Sequence, residues 1–297
     1  MILVVGGTGD LGGRVVRRLT EAGEPVACLV RRESARAGLP DGVRVVEGDL
    51  TRPEGLTEAC AGVDTVVCTA TAIGRLLTGA HGPSIDQVDR LGVGSLVTAA
   101  EAAAVSRFVY LSYASPEDSQ GTPIERAKIA IESRLRGSSV PSTILRPDAF
   151  HEIYLAPLGR FDLVAGKVGV LGAGDNPRRW VSTEDVAALT VAVCTEDDPP
   201  PLVEFGGPDA LTRNETIAIA ERITGRRLRR QALPRPVVRL VQRVTARWRP
   251  EISSIMGLGL MMDLGPVRWD DRPLRDRGIE PRTVADFLAE QARALEG

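Results

Sequence analysis

The sequence predicts an α/β fold, in which a doubly wound parallel sheet carries helices on both faces and a smaller C-terminal lobe follows. Two observations support this prediction. A glycine-rich turn lies between a short apolar run and an amphipathic segment at the start, and strand-like and helix-like segments then alternate as far as Leu145. Such alternation requires parallel strands joined by crossover helices, which cover both faces of the sheet.

The first turn predicts a dinucleotide site. Ile2–Val5 is wholly apolar and indicates a strand buried on both faces. Gly6, Gly9 and Gly12 follow at G-x-x-G-x-x-G spacing, before a segment with the apolar period of a helix. Such glycines allow a tight turn, close approach of the backbone to a pyrophosphate, and packing of the helix on its strand. The helix N-terminus then favours the negative charge. A purely structural turn is the alternative.

The second strand predicts which dinucleotide would bind. Val26–Val30 reads as that strand, and Arg31 and Arg32 follow it, where a NAD site would have an acidic residue for the ribose hydroxyls. A guanidinium can pair with a 2′-phosphate through two parallel hydrogen bonds, so we expect NADP(H). A solvated arginine pair at a strand end is the alternative.

The next segments continue the alternation. Further strands are predicted at Arg44–Glu47, 63–69, Arg107–Leu111 and 142–145, and helices at 56–60, 88–104 and 124–136. Residues 71–83 are rich in glycine and predict a surface loop. Asp49, after the third strand, could accept a hydrogen bond from an adenine amino group or cap the next helix, and both interpretations stay open.

The alternation ends after residue 147. Residues 182–185 predict the cap of a helix reaching Cys194, residues 203–205 another strand, and residues 212–224 an amphipathic helix. We therefore divide the chain into a dinucleotide-binding domain, residues 1–150, and a substrate-binding lobe, residues 151–297, from which segments can return to the sheet. The lobe is expected to close over the strand ends.

The amino-acid composition limits the classes of partner that the protein is expected to bind. The 297 residues carry a formal net charge of −2, so the overall charge suggests neither nucleic acid nor membrane as a partner. The four cysteines lack ligand-like spacing and there are two histidines, which favours buried reduced thiols and no metal site. The first apolar run is too short for a secretory signal. We expect a soluble cytoplasmic protein, a monomer or homodimer, that binds a small-molecule substrate.

Residues 222–249 carry repeated arginines with interleaved apolar residues. We favour the solvated face of a packed helix as the interpretation of this segment. A site for a partner, an anion or a membrane surface is the alternative.

Several motifs together resemble the NmrA-like group of atypical short-chain dehydrogenase/reductases. They are the glycine turn 6–12, Arg31, Gly48-Asp49-Leu50, Gly62-Val63-Asp64, residues 104–112, Leu145-Arg146-Pro147, residues 181–187, and Gly206-Gly207-Pro208 with Leu211-Thr212. The resemblance implies a Rossmann domain that binds NADP(H) and a C-terminal substrate lobe. We expect the cofactor contacts to come from Gly6, Thr8, Gly9, Asp10, Leu11, Gly12, Arg31, Arg32, Asp49, Leu50, Thr69, Ala70, Lys128, Pro147 and Phe150.

The chain departs from the family pattern at the proton donor. Classical members use Tyr-x-x-x-Lys, in which the lysine lowers the tyrosine pKa and holds the nicotinamide ribose. Here Lys128 matches the lysine, but Ile124 occupies the tyrosine position, and Tyr113 stands at the position resembling the catalytic serine, one beyond Ser112. Lys128 could supply the proton itself or through water. Tyr113 could supply it if a nearby ammonium lowers its pKa of about 10. A quinone would need no protein acid.

These features predict an NADPH-dependent reductase of an aromatic, quinone or enone-like small molecule, with Lys128 and Tyr113 as catalytic candidates. Candidate substrate contacts are Tyr113, His151, Tyr154 and Trp180, for which core packing is the alternative. Two other functions stay open. One is an NADP-binding redox-sensing regulator without catalysis, and the other is a non-redox epimerase or dehydratase.

Overall fold

A computed structural model describes residues 1–32 and 38–294. The chain forms two compact units. Unit 1 comprises residues 1–113, 126–146 and 186–203, and unit 2 comprises residues 114–125, 147–185 and the chain from residue 204 onward. Each unit is therefore built from separate stretches of sequence.

Strands and helices alternate through unit 1, as predicted. The strands of the described chain are β1 (Ile2–Val5), β2 (Val26–Val30), β3 (Arg44–Glu47), β4 (Thr65–Cys68), β5 (Arg107–Leu111), β6 (Ser142–Pro147), β7 (Phe161–Asp162), β8 (Lys167–Leu171), β9 (Pro177–Arg179), β10 (Leu202–Phe205), β11 (Ala210–Thr212) and β12 (Arg229–Leu233). The α-helices are α1 (Asp10–Glu21), α2 (Leu56–Ala59), α3 (Ile73–Leu77), α4 (Val93–Ala102), α5 (Pro123–Arg136), α6 (His151–Tyr154), α7 (Thr183–Thr195), α8 (Arg213–Thr224), α9 (Arg235–Thr245), α10 (Pro250–Leu264), α11 (Arg272–Arg275) and α12 (Val284–Arg293).

The central sheet has the strand order β3-β2-β1-β4-β5-β6-β10. It is parallel, which confirms the predicted α/β class. Leu3 of β1 lies opposite Ala27 on one side and Val66 on the other, and all four residues of β1 are buried, as expected for a central strand covered on both faces. β10 joins the sheet from late in the chain, beside β6.

The region between β4 and β5 differs from the prediction in two places. The expected loop 71–83 contains the short helix α3. The helix expected at 88–104 begins as a π-helical segment, Asp86–Gly92, and continues as α4. A Cβ on Gly92 would lie 2.7 Å from the Leu50 carbonyl oxygen, so the end of the π-helical segment approaches that backbone too closely for any other residue.

Two predicted helix starts are confirmed by their caps. The Asp185 amide donates to the Ser182 Oγ at 3.0 Å in the first turn of α7. At α8 the Glu215 amide donates to the Thr212 Oγ1 at 3.1 Å, and the Glu215 carboxylate accepts from the Thr212 amide at 2.8 Å. This reciprocal pair is a capping box.

Unit 2 contains the sheets β12-β8-β7 and β11-β9 and several helices. One apolar core gathers Phe161, Trp180, Ile217, Phe287 and Leu288 among other side chains. A second, smaller cluster joins α9 to α10 through Val238, Met256 and Leu260. Among the described residues, no helix is long and apolar enough to cross a membrane.

The four cysteines are free and buried. Burial raises the pKa of Cys28, Cys60 and Cys68 to about 11 and that of Cys194 to about 12. These thiols therefore stay protonated and unreactive at neutral pH.

Candidate functional site

Two of the three glycines in the first turn, Gly6 and Gly12, lie directly against other backbone atoms. Gly6 has φ +95°, and a Cβ there would lie 2.8 Å from the amide nitrogen of Ala70. A Cβ on Gly12 would lie 2.1 Å from the Gly6 carbonyl oxygen. These two positions thus exclude side chains because protein backbone lies against them.

Gly9 differs because it faces open space. A Cβ there would meet, within 4 Å, only the Gly6 carbonyl oxygen, at 3.3 Å. Gly9 is the N-cap of α1 and supplies no side-chain cap, so the N–H groups of the first turn lack helical partners. The neighbouring Thr8 is exposed and Leu11 is half-buried. Asp10 accepts from the Arg14 Nε at 3.2 Å, which balances its charge beside these amides.

The ends of β2 and β3 separate the two arginines predicted to bind phosphate. The Arg32 guanidinium pairs with the Glu47 carboxylate at 2.5 Å, on the surface. Arg31 is exposed and makes no side-chain hydrogen bond or ion pair with residues 1–32 or 38–294. Arg31 is therefore the one of the two that has no competing carboxylate in this part of the chain.

The residues after β3 and β4 hold the backbone in place. Asp49 Oδ1 accepts from the amide and the hydroxyl of Thr51, at 2.8 and 2.9 Å, so it closes a turn, and Leu50 beside it is buried. The Thr69 hydroxyl donates to the Val5 carbonyl at 3.2 Å. Thr69 and Ala70 thus lie directly against the glycine turn, as a shared site requires.

Lys128 lies on α5 and is 8% exposed. Its Nζ donates to the Leu111 carbonyl at 2.6 Å and lies 4.8 Å from the centroid of the Tyr110 ring. No carboxylate of the described chain is within 4.0 Å of this ammonium. Burial lowers the pKa of Lys128, while the nearby carboxyl groups of Asp89 and Glu132 act in the opposite direction.

Two polar atoms near this lysine have unused hydrogen-bonding capacity. Asp89 Oδ2 accepts from the Ala72 amide at 3.0 Å, but Oδ1 has no hydrogen-bond partner among the described residues. The Tyr110 hydroxyl also has none within the described chain. Burial raises the pKa of both groups, and for Asp89 the positive charge of Lys128 opposes the rise. Buried unsatisfied polar groups are rare in folded proteins and require an explanation.

A buried network beside Lys128 accounts for Ser112. Its hydroxyl donates to the Glu132 carboxylate at 2.6 Å, and Arg146 binds the same carboxylate through Nε at 3.0 Å and Nη2 at 2.6 Å. Sequence reasoning missed this network. Its signal in the sequence is weak, because Arg146 belongs to the Leu145-Arg146-Pro147 motif and no local pattern connects it to Ser112 or Glu132.

Ile124 occupies the expected tyrosine position, one helical turn before Lys128 on α5, and it is buried. Its hydrocarbon side chain provides no proton. Tyr113, the other candidate acid, follows β5 and is half-buried.

The candidate substrate residues of unit 2 lie largely in its core. His151 is fully buried, its ring is 5.2 Å from that of Phe287, and burial lowers the pKa of His151 to about 4, so it stays neutral. Trp180 is buried and its Nε1 donates to the Leu211 carbonyl at 2.7 Å. The Tyr154 ring packs edge-on against it at 6.4 Å. Packing and this hydrogen bond account for Trp180, whereas neither ring nitrogen of His151 has a hydrogen-bond partner among the described residues.

Two expected cofactor residues lie at the start of the 147–185 stretch. Pro147 is buried and its carbonyl accepts from the Ala114 amide at 3.1 Å. Phe150 is half-buried and pairs with Val181 in an isolated β-bridge.

Unit 2 also has a buried ion pair that the sequence did not predict. The Arg178 guanidinium binds Asp148 Oδ1 at 2.6 and 2.9 Å, and Trp269 Nε1 donates to Asp148 Oδ2 at 3.0 Å. The Arg179 amide donates to the same oxygen at 2.9 Å. No cluster of three or more metal-ligating His, Cys, Asp or Glu side chains occurs in the described residues.

Comparison with known proteins identifies related chains. The model of the NmrA-like family matches residues 1–256. The Arabidopsis thaliana chloroplast protein High Chlorophyll Fluorescence Phenotype 244 is 30% identical over 260 residues, which cover 85% of this chain and 63% of the relative. The chain thus spans less than two thirds of that relative's length.

Two further relatives match nearly end to end. The photosystem II assembly factor Ycf39 of Synechocystis is 29% identical over 97% of this chain and 90% of its own. The NAD(P)H azoreductase of Xenophilus azovorans is 30% identical over 99% of each. The solved structure of the Citrobacter triphenylmethane reductase with NADP(H) superposes with a TM-score of 0.75 at 21% identity, covering 98% of this chain and 100% of that one, and supports the fold.

Proposed function

Because the chain belongs to the NmrA-like family, we propose that it is an NADPH-dependent reductase of an aromatic, quinone or enone-like small molecule. The observation that carries this proposal is the state of Lys128. Its ammonium is buried, held by a single carbonyl and without an ion-pair partner in the described chain. Structural buried charges are paired as a rule, whereas perturbed and unpaired ones are concentrated at functional sites.

The residues of unit 1 fit a phosphorylated dinucleotide. Gly9 carries no side chain at the N-terminus of α1, whose first amides lack helical partners, and this suits a pyrophosphate. The Arg31 guanidinium pairs with no carboxylate of residues 1–32 or 38–294, which suits a 2′-phosphate. Bound NADPH would supply a hydride. The other cofactor contacts expected from the sequence remain predictions.

Lys128 suits a role in ribose binding and proton transfer. An ammonium has three donors, and the Leu111 carbonyl uses one of them, so two are left for ribose hydroxyls or a substrate oxygen. Burial lowers its pKa, which makes the proton easier to release. Asp89 Oδ1 lacks a hydrogen-bond partner among the described residues, and the Asp89 carboxyl group lies near enough to Lys128 to act on its ammonium electrostatically.

The source of the proton separates three versions of the reductase. Lys128 donates directly or through water in the first, and Tyr113 donates in the second. In the third, a quinone accepts the hydride and its product oxyanion is stabilised by delocalisation, without a protein acid. The substrate contacts expected from the sequence at Tyr113 and Tyr154 remain predictions.

The test is NADPH oxidation against a panel of quinones, enones and aromatic ketones, with Lys128→Arg and Tyr113→Phe compared with the parent. Arginine keeps the charge but does not release a proton, so if Lys128 is the acid, kcat falls by about 10² to 10⁴ while cofactor affinity changes little. Collapse in Tyr113→Phe alone would identify Tyr113. Rates within about tenfold of the parent for both variants would favour the quinone version.

A second function has specific support. At the position where the family resemblance predicts the tyrosine this chain has Ile124, and the relative Ycf39 of Synechocystis is a photosystem II assembly factor. Both observations favour an NADP-binding regulator that catalyses nothing. That function would be established if no member of the panel consumed NADPH while NADPH changed the association of the protein with a partner.

A further inference from the structure

The positive charge of this chain is concentrated in one segment of unit 2. Residues 222–250 contain no Asp or Glu and carry ten arginines, which leaves a formal charge of −12 on the rest of a chain whose total is −2. The arginines are Arg222, Arg226, Arg227, Arg229, Arg230, Arg235, Arg239, Arg243, Arg247 and Arg249. The near-neutral total therefore hides a strongly basic surface.

Helix α9 lies within this segment and exposes an apolar stripe. Its inner side packs on α10 through Val238. Its outer side carries Val237, Leu240 and Val244 at i, i+3 and i+7, which are 40%, 61% and 63% exposed. Trp248, in the turn after the helix, is 82% exposed. These side chains are more than isolated surface hydrophobics, because their spacing aligns them on one face.

A stripe of arginines runs beside the apolar one. Arg239, Arg243 and Arg247 recur at i, i+4 and i+8, and none of them forms a salt bridge with any residue the structure describes. Two other arginines differ: Arg235, the first residue of α9, pairs with Asp263, and Arg249, after the turn, pairs with Glu251, each at 2.5 Å. The cations next to the apolar stripe are thus the ones left for an external anion.

We propose that α9 and the turn after it dock on the surface of an anionic lipid bilayer. An interfacial helix carries Lys or Arg on a polar face and apolar or aromatic residues on the other, and here both stripes share the exposed side. Trp248 suits the headgroup region, where an amphipathic ring is stable. The proposal replaces the expectation, based on overall charge, that the protein has no membrane partner.

The other occupants fit less well. A nucleic acid would use the arginines but leave the apolar stripe without a partner. A second copy joined through the same face would bring the arginine stripes of both chains together without an intervening carboxylate.

The experiment uses the full-length protein and vesicles of phosphatidylcholine with or without phosphatidylglycerol. Flotation measures binding, and tryptophan fluorescence reports the contact, because Trp180 and Trp269 are only 2% and 7% exposed while Trp248 lies in solvent. We expect binding and a blue shift with the anionic vesicles only, and loss of the shift in Trp248→Phe.

Three sets of variants separate the contribution of charge from that of apolar insertion. Replacing Arg239, Arg243 and Arg247 by Gln should weaken vesicle binding about a hundredfold. The matched set Arg17→Gln, Arg44→Gln and Arg52→Gln removes the same charge from unit 1 and should leave binding within about fivefold of the parent. Leu240→Ser with Val244→Ser should weaken binding about tenfold or more. Circular dichroism checks that each variant is folded.

Several results would overturn the proposal. One is absence of vesicle binding at low salt. Another is binding that produces no blue shift and is indifferent to the Leu240 and Val244 changes, since this would indicate a simple anion site. Concentration-dependent dimerisation without vesicles, abolished by those same changes, would identify a second copy as the occupant.

Discussion

Each unit of this protein buries a cation, and the two sites are built on opposite principles. In unit 2, Arg178 binds Asp148 Oδ1 through two nitrogens. Trp269 and the Arg179 amide donate hydrogen bonds to the other oxygen of the same carboxylate. In unit 1, the Lys128 ammonium donates one hydrogen bond, to the Leu111 carbonyl. The nearby Asp89 Oδ1 and Tyr110 hydroxyl have no hydrogen-bond partners within the described chain.

Hydrogen bonding therefore distinguishes a buried charge that stabilises the fold from one that serves a function. A satisfied network fixes one arrangement, and breaking it leaves a buried charge without compensation. A buried polar group without a partner costs stability, so it calls for a partner outside the protein, either a ligand or an ordered water. Burial alone, which both cations share, does not distinguish the two cases.

The largest expected effect is on the satisfied site. Arg178→Ala should lower the free energy of unfolding by about 3 to 5 kcal/mol, because Asp148 is then left buried without its countercharge. Urea denaturation measures the change. Arg272→Ala is the matched control, since its ion pair with Asp270 is on the surface and should contribute less than about 1 kcal/mol. Similar losses in the two variants would break the comparison.

The next effect concerns the glycine turn of unit 1. Gly9→Ala and Gly13→Ala place their Cβ atoms at similar distances from protein, 3.3 and 3.4 Å from a carbonyl oxygen, so their stabilities should be similar. Only the first should weaken NADPH binding, by about 3 kcal/mol if two charge-assisted hydrogen bonds to the pyrophosphate are lost. Titration by NADPH fluorescence measures affinity. Equal affinities would reduce this turn to a structural one.

A smaller effect should distinguish the two arginines after β2. Arg31→Ala should reduce the preference for NADPH over NADH by about 1.5 to 3 kcal/mol, the value of a charge-assisted contact. Arg32→Ala should change it little, because that guanidinium is already paired with Glu47. Both cofactors are titrated against each variant, and a parent protein without any preference would contradict the expectation.

The smallest effect is on stability at the unsatisfied site. Burial lowers the pKa of Lys128, so its charged form opposes folding, and the opposition fades as pH rises toward the unfolded lysine pKa of about 10.4. Lys128→Met should therefore leave the free energy of unfolding at neutral pH unchanged or raise it by about 1 kcal/mol, with the gain shrinking at high pH. Lys167→Met, at an exposed lysine, is the control. A clear loss of stability would show that Lys128 is as structural as Arg178.

The sequence predicted the parts of the fold that depend on local pattern. Glycine spacing, the apolar β1 and the alternation of segments sufficed for the sheet, and the amphipathic pattern of residues 212–224 sufficed for α8. The sites depend on residues far apart in the chain. Asp148 and Trp269 are separated by 121 positions, and no local pattern indicates that they meet. Likewise, three equally spaced glycines give no sign that only Gly9 faces open space.

Two short helical segments were not predicted from the sequence, for a different reason. Helix α3 has five residues, too few for an apolar period to emerge from a glycine-rich stretch. The π-helical segment Asp86–Gly92 is invisible to such reasoning, because its hydrogen bonds differ from those of an α-helix while its composition does not.

The burial of Asp89 depends on the number of residues in the π-helical segment that contains it. If one position between Asp86 and Gly92 were deleted, the segment could relax into a continuous α-helix with α4. Everything before the deletion would then turn by about 100° relative to α4, the rotation of one α-helical residue. A homologue with a one-residue gap here would thus be expected to present a different side chain beside its lysine, even if every other motif were identical.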